Sequence, residues 1–195
     1  MDLKVAKYFV AFGMILTFIE NLSLVGFIIQ FIGIYLISEK INNKKLFYNF
    51  VIALFLFYTI ISFLLPQSII SIFKEYAVGK NSFYSFDSME YHIFTNIKDH
   101  FSIITLMFVI YIISLLFERI AYKQLYPETP NIEILYVLRL ILIELIIIIL
   151  SYILFAKWVL DGIGFMSFLS IIIVAINIII IFLTKIFEII VFLKL

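Results

Sequence analysis

Long apolar runs alternate with short polar breaks along this chain. They cover Val5–Ile19, Leu22–Ile37, Leu46–Leu65, Phe101–Phe117, Ile134–Ala156 and Phe165–Leu183. Apolar runs approaching about twenty residues match the thickness of a hydrocarbon core, so each predicts a membrane helix. The expected fold is all-α: one polytopic transmembrane domain over residues 1–195 with about six helices.

Only Glu20-Asn21 separates the first two runs. One straight helix over Val5–Ile37 would be about 50 Å long, against a core of about 30 Å. A tight hairpin turning at Glu20–Ser23 is therefore expected, the alternative being a re-entrant hairpin that fails to cross. Ser23, Gly26, Gln30 and Gly33 fall on one face of the second helix, and Ala6, Gly13 and Thr17 recur likewise in the first. Small residues let membrane helices approach closely, where packing drives association.

From Pro66 to His100 the hydropathy falls, and an outer amphipathic segment is expected over 66–100. Ile69, Ile72, Phe73 and Tyr76 share a face ahead of Gly79, a natural helix stop, which predicts a short interfacial helix. Asp87 and Glu90 resemble a capping box before Met89, Ile93, Ile97 and Phe101 at helical spacing. Pro127 and Pro130 are expected to interrupt the chain before the fifth run.

Composition strengthens the membrane reading. Hydrophobic residues make up 65% and charged residues 14% of the chain, where soluble domains carry about 45–50% and about 25%. A net charge of +1 argues against nucleic acid as a partner. Without cysteine, disulfides and thiolate metal sites are excluded. Lys4 and Lys7 ahead of an apolar stretch give the start of the chain a signal-like shape, but no small-x-small site precedes Ser23. It reads as an uncleaved first membrane helix.

Basic residues set the orientation. With the N-terminus cytoplasmic and six crossings, that side holds Lys4, Lys7, Lys40, Lys44, Lys45, Arg119, Lys123, Arg139, Lys185 and Lys194. The outer side keeps Lys74, Lys80, Lys98 and Lys157. This asymmetry predicts a multi-pass protein of the plasma membrane with both termini cytoplasmic. The loop at Lys40, Lys44 and Lys45 is then an anchor facing lipid headgroups. A faint echo between SEKINNKKLFYNF and FERIAYKQLYPETPNIEILY is what a three-plus-three duplication would leave, although two cytoplasmic loops resemble each other for topological reasons alone.

The stretch LSLVGFIIQFIGIYLISEKINNKKLFYNF resembles the domain of unknown function 996 family of small archaeal and bacterial integral membrane proteins. The likeness rests on Gly26 and Gly33 in a helix, Ser38 and Glu39 at its end, a short polar loop, and Phe47 and Asn49 entering the next helix. AYKQL after the fourth run is similar to that family's second polar loop, while Glu-Asn-Leu-Ser stands where the family has a proline-containing turn. The resemblance implies a membrane architecture and no catalytic or ligand residues.

Intramembrane charge is expensive and must face protein, water or a partner. Arg139 and Glu144 lie inside the fifth run, five residues and thus about 140° apart on a helix. Ser170, Asn177, Thr184 and Glu188 form a polar seam on the last helix. The expected arrangement is a Glu144–Asn177 hydrogen bond and an Arg139–Glu188 pair locking the last two helices. The alternative is a small transporter or channel with Glu144 as a proton or cation site, in a hydrated cavity with Gln30 or Asn177. A third is snorkelling.

His92 and His100 sit near Asp87, Glu90 and Asp99, chemically suited to zinc but two helical turns apart, so no metal site is expected. No hydrolase elbow, phosphate loop or zinc-protease motif is present, and neither enzymatic activity nor a cofactor is expected. The expected function is that of a non-catalytic membrane component or subunit acting by helix packing. Its partners would be the lipid bilayer and a homo-oligomer or another membrane protein.

Overall fold

Each apolar run becomes a helix. The computed structural model describes residues 3–19, 22–60, 101–161 and 165–194. Within them lie α1 (Leu3–Thr17), α2 (Ser23–Lys40), α3 (Lys44–Thr59), α4 (Phe101–Glu128), α5 (Ile132–Asp161) and α6 (Phe165–Lys194). The expected interfacial helix and capping box, His92 and His100 lie outside the described residues.

The helix ends follow local chemistry more than hydropathy. Between α2 and α3 the chain turns within three residues. Asn42 adopts φ 54°, Asn43 N–H reaches back to Ser38 O at 2.9 Å and Asn42 N–H to Glu39 O at 3.1 Å. That is a Schellman stop with asparagine in the left-handed position. Asn43 then caps α3, its side chain accepting from Leu46 N–H at 3.2 Å. Asn131 does the same for α5, accepting from Glu133 N–H at 3.1 Å.

Two boundaries differ from expectation. α4 runs through Pro127 and ends at Glu128. A proline in the last turn removes only one backbone bond, and Thr129 N–H still closes on Leu125 O at 3.1 Å. α6 continues past Leu183 to Lys194, because its charged residues find partners within the bundle, Lys185 on α4, Glu188 on Lys185 and Lys194 on α5, instead of ending the helix.

The six helices pack in chain order, each against the next, and α6 closes on α1. Antiparallel neighbours bring Leu3, the α2–α3 turn, the α4–α5 turn and Lys194 to one end of the bundle. Two contacts clasp that end: Lys7 Nζ donates to Leu193 O at 3.0 Å, and Lys194 pairs with Glu133. Just inside that end Phe50, Tyr122 and Phe192 meet, buried, with ring centroids 5.1 to 6.2 Å apart. Large apolar side chains such as Phe12, Phe55, Ile146 and Ile178 point outward, the inverse of a water-soluble bundle.

The first hairpin is packed backbone to backbone. A Cβ on Gly13 would lie 2.5 Å from Gln30 N and one on Gly26 2.6 Å from Thr17 N, while one on Gly33 would lie 2.7 Å from Val10 N. Backbone touches backbone there, so the stripe of small residues is the hairpin's interface. The hairpin is also short: Phe18, just past α1, packs edge-on against Phe182 at 6.3 Å. Phe182 lies about 25 Å along α6 from its first residue.

α2, α4, Ile132–Val159 of α5 and Ile176–Lys194 of α6 are long and apolar enough to cross a membrane. α1, with 15 residues, and the 16 described residues of α3 fall short. By length and hydropathy, four of the described helices are thus able to cross a membrane, where six crossings were expected.

Candidate functional site: a buried ionic cluster between α3, α4, α5 and α6

Tyr111, Ser114, Glu118 and Tyr122 fall at offsets 0, 3, 7 and 11 on α4, which is one helical face. α4 turns that face inward, and Ser114, Glu118 and Tyr122 are buried. Ser114 Oγ donates to Ala53 O at 2.8 Å, tying the face to α3.

α6 supplies the cation. Lys185 Nζ donates to Glu118 Oε1 at 2.7 Å and to Glu188 Oε2 and Oε1 at 2.9 and 3.1 Å. The Phe57 ring of α3 closes the remaining side, its centroid 5.5 Å from the ammonium. Glu188 is fully buried, and the Lys185 side chain is 18% exposed. A buried carboxylate needs such charge-assisted contacts, since desolvation alone would expel it.

α5 adds Glu144, 1% exposed. Tyr111 donates its hydroxyl to Glu144 Oε1, and Thr184 Oγ1 stands 3.1 Å from Glu144 Oε2. Thr184 also donates to Ile180 O at 2.9 Å. Tyr111, Ser114, Glu118, Lys185, Ala53 and Phe57 border a cavity of about 10 Å³, room for one water.

Glu144 and Glu188 are thus in the cluster, but neither expected pairing forms. Thr184 is Glu144's partner on α6, two turns beyond Asn177. In the register of the Glu133–Lys194 and Glu144–Thr184 contacts, Asn177 falls opposite Ser151, higher in the bundle. Asn177 is buried there with Oδ1 unpartnered. Arg139 is near the depth of Glu188 but exposed, because the five-residue step from Glu144 turns it off the inward face. Lys185, read from sequence as a cytoplasmic lysine, takes its place. Gln30 is buried in the α1–α2 interface, its backbone against Gly13, on different helices from the cluster.

Sequence reading missed Glu118, Tyr111 and Lys185. The inward face of α4 was detectable by the same periodicity that revealed the seam on α6. Glu118 lay beyond the apolar run ending at Phe117 and so read as loop. Among the described residues no group of three or more His, Cys, Asp or Glu is arranged to hold a metal ion.

Fold and cluster together define an all-α protein with helices long and apolar enough to cross a membrane and an ionic cluster inside. No protein-family model, curated protein or solved structure matches the chain.

Proposed function

We propose that this is a polytopic plasma-membrane protein with both termini cytoplasmic, acting as a non-catalytic component or subunit through helix packing. The observation that carries this reading is the self-sufficiency of the cluster. Lys185, Glu118 and Glu188 satisfy one another inside the chain, and packed side chains leave space for about one water beside them. An ion network closed in this way holds helices in register. The likeness of residues 22–50 to a family without assigned activity agrees with it.

All six helices are embedded in this reading. α3 is wedged between α2 and α4, and α1 between α2 and α6, each flanked by helices of crossing length. The short hairpin returns to the side it entered from, so Lys7, Lys40, Lys44, Lys45 and Lys194 share the cytoplasmic face whether or not its tip crosses. The lipid bilayer and a second copy or another membrane protein are the partners.

Two experiments test this. The chain lacks cysteine, so Lys44→Cys and Lys194→Cys provide single labelling sites; both are expected to react with an impermeant thiol reagent only after the cytoplasmic face is opened. Extraction in native lipid particles followed by mass measurement is expected to show a stable oligomer or a stoichiometric partner. A monomer that moves solute across liposomes would replace the packing role with transport.

A further inference from the structure

Thr184 has one hydroxyl hydrogen and two oxygens within reach: Ile180 O at 2.9 Å and Glu144 Oε2 at 3.1 Å. The carbonyl is nearer, and a helical threonine commonly donates to the carbonyl four residues back. With the hydrogen committed there, the contact with Glu144 needs a hydrogen from the carboxyl group.

Charge leads the same way. The donors of Lys185 are directed at Glu118 and Glu188, so Glu144 has hydroxyl neighbours and no cation of its own. An ionised Glu144 would be a third carboxylate beside one ammonium in a low-dielectric interior. The groups that act on it are Tyr111 and Glu118 from α4, and Thr184 and Lys185 from α6. α3 contributes Phe57 and Ala53 to the cavity wall.

A second feature is independent of these bonds. Tyr122 is 0% exposed and its hydroxyl has no hydrogen-bond partner, yet it interacts electrostatically with Glu188 and Glu118. A buried hydroxyl beside two carboxylates keeps a hydrogen and lone pairs that the cluster's side chains do not use. Tyr111 both borders the water-sized cavity with Glu118 and Lys185 and bonds Glu144, so it links the cavity to the carboxyl group.

We propose that Glu144 is a proton-binding site, its carboxyl holding one exchangeable proton at neutral pH on Oε2 and donating it to Thr184. Exchange runs through Tyr111. A hydronium in the cavity gives a proton to the Tyr111 oxygen while the Tyr111 hydrogen passes to the Glu144 oxygen it bonds, leaving water behind; a half-turn of the carboxyl group then carries that hydrogen to the Thr184 side, the Tyr111 hydroxyl turns back to bond the other oxygen, and release is the reverse. A metal cation is a poor alternative, because it needs about six oxygens and the cavity admits one water. The site goes beyond a packing role, since it makes the α4–α5–α6 contact responsive to protons.

The test is infrared spectroscopy of the full chain in lipid nanodiscs with isotope-labelled glutamate carboxyls. A protonated-carboxyl band is expected at neutral pH, shifted in heavy water and lost in Glu144→Gln. Thr184→Val should move its frequency, while Thr184→Ser should leave it in place. The Thr184 pair serves even where Glu144→Gln fails to fold. The proposal is overturned by a wild-type spectrum without the band, by a band that survives Glu144→Gln, or by one indifferent to Thr184→Val. Loss of the band on exchanging potassium for sodium at constant pH would also overturn it, in favour of a cation site.

Discussion

Lys185 on α6 donates to Glu118 on α4 at 2.7 Å, joining two helices that are not neighbours in the chain. Removing the ammonium leaves two buried carboxylates facing each other. Lys185→Met should destabilise the protein by about 3–5 kcal/mol, the usual cost of breaking a buried pair from one side. Denaturant titration in micelles would measure this. Adding Glu188→Gln should recover part of the loss, because it removes one stranded charge.

The pairing observed between α4 and α6 and the Arg139–Glu188 pairing expected between α5 and α6 can be separated by double-mutant cycles. Lys185→Met with Glu118→Gln should show a coupling energy in the range of about 0.5–3 kcal/mol for residues in one network. Arg139→Gln with Glu188→Gln should be additive within about 0.5 kcal/mol. A large coupling in the second cycle would contradict the outward orientation of Arg139.

Gly26 meets backbone on the opposing helix, where nothing flexible can give way. Gly26→Ala should cost about 1–3 kcal/mol as an overpacked contact and separate α1 from α2. Val25→Ala, at a position 46% exposed, should stay within about 0.5 kcal/mol. Cross-linking of engineered cysteines at Gly13 and Gln30 would not serve, since both lie in the interface; melting temperature in micelles is the better readout.

The α2–α3 turn depends on two asparagines with different roles. Asn42→Gly should be tolerated and Asn42→Val should not, because the φ of 54° suits glycine and excludes a β-branched residue. Asn43→Ala should cost about 1 kcal/mol by uncapping α3. Loss of stability in Asn42→Gly would mean that the asparagine side chain, not its backbone conformation, matters there.

The sequence by itself determined the class of fold and the local devices. Apolar runs long enough for a bilayer can satisfy their backbone only as helices, so the position of every described helix was readable. Glycines at helical spacing told which faces of α1 and α2 would touch, because only small residues allow that approach. Hydropathy misplaced the C-terminal ends of α4 and α6. A window average sees Glu118, Lys185 and Glu188 as the end of a membrane helix, although in the bundle one ammonium bridges the two carboxylates. Which charge meets which was a matter of tertiary register. An antiparallel pair can slide by two turns and keep its apolar face buried, so periodicity alone could not choose between Asn177 and Thr184 as the partner of Glu144. The packing of α4 against α3, α5 and α6 made that choice, bringing Tyr111 and Glu118 into contact with a seam already visible on α6.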